Sequence, residues 1–176
     1  KDEVVNLTTD PAVYWETAPA STRAIIFGGK ARLSGLWVDD RAVARLAATD
    51  PRYIGFLSVD PTQPGWEEEL RFCHEELGLR GIKLLPMYAG FAPNDPVVAP
   101  RYDYAQRHRL PILLHPGTTF ISQAPIAHTL PRHLDDVATK WPELPMILAH
   151  LGHPFEGECI AVIRKHRHLY SDVSAL

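Results

Sequence analysis

"LPMILAHLGHP" (Leu144–Pro154) decides how this chain is read. An apolar run that stops abruptly at His, Gly and His describes a buried strand delivering imidazoles to its end. One strand–helix unit earlier, "LPILLHPG" (Leu110–Gly117) does the same with His115. Continuous apolar runs of this kind suit parallel strands covered on both faces, where no polar alternation is needed. The signature recurs in "RAIIFGG" (Arg23–Gly29), "YIGFLSVDP" (Tyr53–Pro61), "GIKLLP" (Gly81–Pro86) and "LYSDVSA" (Leu169–Ala175).

Amphipathic helix patterns fill the intervals. "DDRAVARLAATD" (39–50) offers Asp40 as N-cap and Val43, Leu46 and Ala47 as an apolar stripe. "PGWEEELRFCHEELG" (64–78) opens with glutamates that suit the helix dipole and stops on Gly78. "NDPVVAPRYDYAQRHR" (94–109), with Pro100 delaying or kinking its start, "PRHLDDVATKW" (131–141) and "EGECIAVIRKHRH" (156–168) continue the series. Strand–helix repetition without a long linker predicts one α/β domain over residues 1–176. "FGGKARLSG" after the first strand lacks both the dinucleotide and the P-loop spacing. A TIM-like (β/α)8 barrel is therefore expected rather than a nucleotide-binding open sheet. Only about six βα units are visible, and a whole barrel takes ~250 residues, so the barrel is expected to be incomplete. The opening "KDEVVNLTTDP" has no initiator Met and no obvious first element, which points to native sequence further upstream.

Composition excludes several classes. The 176 residues are 45% hydrophobic, enough for one sizeable core, and carry 18 basic and 21 acidic residues without a basic stripe. Nucleic acid and anionic membrane surfaces are poor partners for such a chain. No run approaches the ~20 apolar residues of a membrane span, and no secretory pattern opens the chain. Cys73 and Cys159 lack paired spacing and read as packed, reduced thiols, which suits the cytoplasm.

Chemistry in parallel α/β folds gathers at the C-terminal strand ends. Here those ends carry Asp60, Lys83, His115, His150 and Asp172. His115 and His150, on neighbouring strands, suit a divalent metal or proton transfer near neutral pH; each alone also suits a strand cap bonded to a loop. Their offsets differ, four residues after Pro111 and five after Pro145, so identical roles are not implied. Lys83 fits an anion-neutralising group or a snorkelling strand-end side chain. Asp60, before Pro61, reads as a turn former, and Asp172, between Ser171 and Ser174, as a hydrogen-bonding support. Tyr88 and Phe91 in "MYAGFAPNDP" (Met87–Pro96) suit a pocket wall, and "GTTF" (Gly117–Phe120) a pocket floor; both also suit plain packing. His153 either faces substrate or orients its loop. The other histidines (His74, His108, His128, His133, His166, His168) read as solvated surface.

"GIKLLPMYAGFAPNDP", "LPILLHPGTTF" and "ILAHLGHPFEGE…VIRKHRHLYSDVSA" together resemble the amidohydrolase-related metal-dependent hydrolases and decarboxylases, from about Arg23 onward. The resemblance implies a distorted TIM barrel with one or two divalent metals, zinc foremost and manganese next, at the strand ends. It implies His115 as the fifth-strand metal ligand, and His150 as the sixth-strand acid–base or second-metal ligand. Lys83, Tyr88, Phe91 and His153 would contact a small carbonyl, lactone, amide or carboxylate substrate. The family's first-strand H-x-H and eighth-strand Asp have no counterparts in this sequence. Hydrolysis and non-oxidative decarboxylation both remain open, and homo-oligomers are compatible. Two rivals stand beside this reading: a non-catalytic barrel used as a binding module, and a metal-independent enzyme using a Lys83 Schiff base.

Overall fold

The computed structural model describes residues 10–119 and 121–174; Phe120 and Ala175 of the motifs above lie outside the described residues. The chain runs α1 (Pro11–Thr17), β1 (Ala24–Phe27), β2 (Lys30–Ala31), β3 (Leu36–Trp37), α2 (Asp40–Ala47), β4 (Tyr53–Ser58), α3 (Trp66–Arg71) and β5 (Ile82–Leu84). It continues through α4 (Pro86–Ala89), α5 (Ala99–His108), β6 (Ile112–Leu114), α6 (Arg132–Lys140), β7 (Met146–Leu148), α7 (Glu156–Lys165) and β8 (Leu169–Ser171). Six strands form one parallel sheet in the order β1-β4-β5-β6-β7-β8, each following its predecessor with a helical crossover between. The sheet curls into part of a TIM barrel, as the apolar runs predict.

Register explains which side chains face inward. Lys83 pairs with Leu113, Leu113 with Ile147, and Ile147 with Tyr170. Residues paired across parallel strands share a face, and alternate residues along a strand do too. The outward set, Leu57, Ile82, Leu84, Ile112, Leu114, Met146, Leu148 and Leu169, packs against the helices in the main core. The inward set makes a small second cluster of Phe56, Leu113 and Ala149, with Ile54 and Ile147 against it. The central strands β4–β7 are covered from both sides and need no polar alternation, whereas the edge strands leave Ile25, Phe27 and Tyr170 exposed on the inward face.

Several expectations change. Asp39, not Asp40, caps α2, its carboxylate accepting from the Arg41 amide. Asp40 is the first helical residue and is buried against Lys30 instead. The helices named above are shorter than their patterns, and the 64–78 segment passes from α3 into a π-helical stretch over Phe72–Glu76. The segment after β5 forms a helical turn at Pro86–Ala89 before it becomes a loop. Phe91 is 2% exposed and belongs to the helix-side core, not a pocket wall. The hairpin β2–β3 and helix α1 carry no periodic signal. Asp60 does form its turn, accepting from the Thr62 amide and hydroxyl, and it also binds the Arg32 amide.

Candidate active site

His115 follows β6 directly, on the inward face with Leu113. The in-register equivalent of His115 on β7 is Ala149, because Ile112 pairs with Met146. His150 thus comes one residue late and in a regular strand would turn outward with Leu148. The backbone corrects this. His150 and Leu151 adopt left-handed conformations (φ 57° and 48°), unusual for residues with side chains. The resulting turn brings the two imidazoles to 5.0 Å between ring centres, edge to face.

Asp172 holds that turn. Its carboxylate accepts from the His150 amide at 3.0 Å, and its carbonyl accepts from the Leu151 amide at 2.9 Å. The Ser174 amide and hydroxyl donate to the same carboxylate oxygen. Burial opposes the charge on Asp172, but these donors outweigh it and keep the carboxyl below its usual range. His150 Nδ1 lies 3.0 Å from the Ser174 carbonyl, an acceptor only. Nδ1 therefore carries a proton, and in the neutral ring Nε2 keeps the lone pair. Strain is fixed at a strand end so that one nitrogen is presented, a pattern typical of functional sites.

Around the pair lies a cavity of about 500 Å³ lined by Tyr88, His115, Pro116, Thr118, Thr119, His150 and His153. That volume suits a small molecule. Tyr88 meets His115 edge-on, with ring centres 5.2 Å apart. Burial pushes the His115 imidazole down to about 4, Lys83 adding to the effect, so it is neutral at neutral pH. Lys83 lies one residue layer deeper on the adjacent strand, 3% exposed, its Nζ 4.8 Å from the Phe27 ring centre. Burial pushes its amine down to about 8, partly opposed by Asp172. Among the described residues no carboxylate forms an ion pair with it.

The loops carrying the histidines are stitched together. The Thr118 amide donates to the His153 carbonyl at 2.9 Å, and the Gly117 amide to the Thr129 carbonyl and hydroxyl. Gly117 has φ 98°, and a Cβ there would collide with the His153 carbonyl. Gly117→Ala is accordingly expected to destabilise by on the order of 3 kcal/mol, from backbone strain plus a clash with immovable main chain. Urea unfolding checks this; a loss under about 1 kcal/mol contradicts the stitching.

The structure thus brings His115, His150, Tyr88 and His153 to one cavity, sets Lys83 beneath it and removes Phe91. Sequence reasoning missed the Ser174 carbonyl and Glu156. His153 Nδ1 lies 2.5 Å from Glu156 Oε1, and only the i, i+3 spacing at a helix start signals that pair. Three supposed surface histidines are hydrogen-bonded: His74 with the Tyr104 hydroxyl, His133 with the Ala127 carbonyl and His166 with Asp135.

The family model for amidohydrolases matches residues 24–176. The chain belongs to the amidohydrolase family. Nothing among the curated proteins matches it. Among solved structures it is similar to an uncharacterized TIM-barrel protein of Bordetella bronchiseptica, at 21% identity and a TM-score of 0.75, covering 86% of this chain and 54% of that one. A probable 2-pyrone-4,6-dicarboxylic acid hydrolase of Acinetobacter baumannii matches at 16% identity and a TM-score of 0.58, over 88% of this chain and 55% of that one. A 5-carboxyvanillate decarboxylase of Novosphingobium aromaticivorans, solved with bound manganese, matches at 23% identity and a TM-score of 0.52, over 64% and 38%. At these identities the likeness shows the fold, and this amidohydrolase chain spans about half the length of the structures it matches.

Metal fit follows from the donors. Two adjacent imidazoles suit a borderline divalent cation, with His115 Nε2 lying 3.4 Å from the Thr118 carbonyl, but a catalytic zinc usually has three protein ligands. No group of three His, Cys, Asp or Glu able to hold a metal occurs among the described residues. Likewise, among them no helix is long and apolar enough to cross a membrane.

Proposed function

We propose that this chain carries the proton-moving and anion-holding part of a metal-dependent amidohydrolase active site acting on a small carboxylate-bearing substrate. One observation carries the reading: two imidazoles 5.0 Å apart at adjacent strand ends, above a buried lysine that forms no ion pair among the described residues. His115, as a neutral imidazole, would be the first ligand of a divalent metal, and His150, when neutral, would present its Nε2 lone pair to the cavity. A bound zinc or manganese supplies Lewis-acid chemistry there. His150 takes or returns a proton at the reacting atom as general base or acid. Lys83 offsets substrate charge from below, and Tyr88 and His153 bound the cavity. Hydrolysis of a lactone, ester or amide is the leading reaction and decarboxylation the alternative, since both use a positioned proton carrier. The two free, buried cysteines support a cytoplasmic setting.

Lys83 makes the reading testable. Its charge is present below about pH 8 and lost above it. Binding of benzoate as a carboxylate probe, followed by calorimetry, is expected to weaken as pH rises from 7 to 9, and Lys83→Met to lose affinity by about tenfold or more at pH 7. Affinity unchanged by Lys83→Met overturns the anion-holding role.

A further inference from the structure

The interaction between His153 and Glu156 has no part in the chemistry assigned to His150. His153 lines the cavity, while Glu156 opens α7, where the helix dipole favours a negative charge. The His153 main chain is fixed on both sides: its amide donates to the His150 carbonyl, and its carbonyl accepts from Thr118. The ring therefore hangs from a rigid hinge, with Nδ1 tied to Glu156 Oε1 at 2.5 Å. An ionised carboxylate only accepts, so Nδ1 carries a proton, and in the neutral ring Nε2 is left with the lone pair. Among the described residues Nε2 has no hydrogen-bond partner.

We infer that Glu156 is a positioning residue that makes His153 a second proton acceptor at the cavity, one fitted to a hydroxyl group on the ligand. A base oriented by a third group through its other nitrogen is a general device for presenting an imidazole. His150 is oriented by a carbonyl and His153 by a carboxylate. In their neutral forms the two imidazoles thus offer the cavity two lone pairs, each with a carboxylate near the other nitrogen: Asp172 at 3.9 Å from His150 Nδ1, and Glu156 bonded to His153. A ligand with a hydroxyl several bonds from its reacting group would engage both. This role rests on the cavity being the active site.

The test is nitrogen-15 NMR of the histidine rings in the full chain at alkaline pH, with the His153 signals assigned by His153→Gln. The wild type is expected to show neutral His153 protonated on Nδ1, with a pyridine-like Nε2. Glu156→Ala and Glu156→Lys, which remove the acceptor from an exposed site, are expected to move the proton to Nε2. Phenol, used as a hydroxyl probe beside the Tyr88 ring, is expected to shift the Nε2 signal in the wild type and not in the variants. A wild-type proton on Nε2, a tautomer indifferent to Glu156, or no response to phenol overturns the inference. The spectra read the ring whether or not the cavity catalyses, so failure of the active-site reading leaves this result distinguishable.

Discussion

His150→Asn is expected to lower turnover by about 10²- to 10⁴-fold, the usual contribution of a positioned general acid or base. At about 1.4 kcal/mol per decade, that is roughly 3–5 kcal/mol of barrier. Asparagine is the right replacement because it tolerates the left-handed conformation at φ 57° better than alanine does. The Asp172 clamp then survives, and only the proton carrier is lost. Steady-state rates on any substrate the protein turns over provide the check, with a circular dichroism melt to show the fold intact. A variant keeping more than about a tenth of the wild-type rate removes His150 from the chemistry.

Lys30→Met is expected to have the largest effect on stability. The Lys30 ammonium is 1% exposed and donates to Asp40 at 2.7 Å and Glu69 at 2.5 Å. Burial pulls this amine down, but the two carboxylates outweigh it and hold it above its ordinary value. Asp40 also receives the Ser58 amide, and Ser58 Oγ receives the Lys30 amide, so the network ties β2, α2 and β4 together. Removing the lysine strands a buried carboxylate, which costs about 3–5 kcal/mol. In a chain of this size the thermal midpoint should fall by on the order of 10 °C. Adding Asp40→Asn removes the stranded charge while keeping an acceptor for Ser58, and should recover more than half of the loss. A single variant losing under about 1 kcal/mol refutes the account of this network.

Strands and their terminal histidines were legible because hydrocarbon buried on both faces leaves a run that side-chain period cannot disguise. The half-covered helices were legible by the opposite signal, an apolar stripe ending in Gly78 or in basic residues. What escaped depends on tertiary contact. The sequence shows that His150 is offset by one residue relative to His115, but not that a left-handed turn cancels the offset. That turn is set by Asp172 and Ser174, on the next strand. Phe91 and Tyr88 look alike in the sequence, yet packing against the helices buries one and leaves the other at the cavity. Asp39 and Asp40 are equally good caps locally, and only Lys30, ten residues upstream, decides which is buried.

The central claim is that His115 belongs to a divalent metal centre, and metal content of the purified protein measures it most directly. The account predicts about one equivalent of tightly bound zinc or manganese, with affinity falling by more than about 100-fold in His115→Ala, since even outer-shell partners of metal ligands are worth 10–100-fold. Less than about half an equivalent, unaffected by His115→Ala, would contradict it.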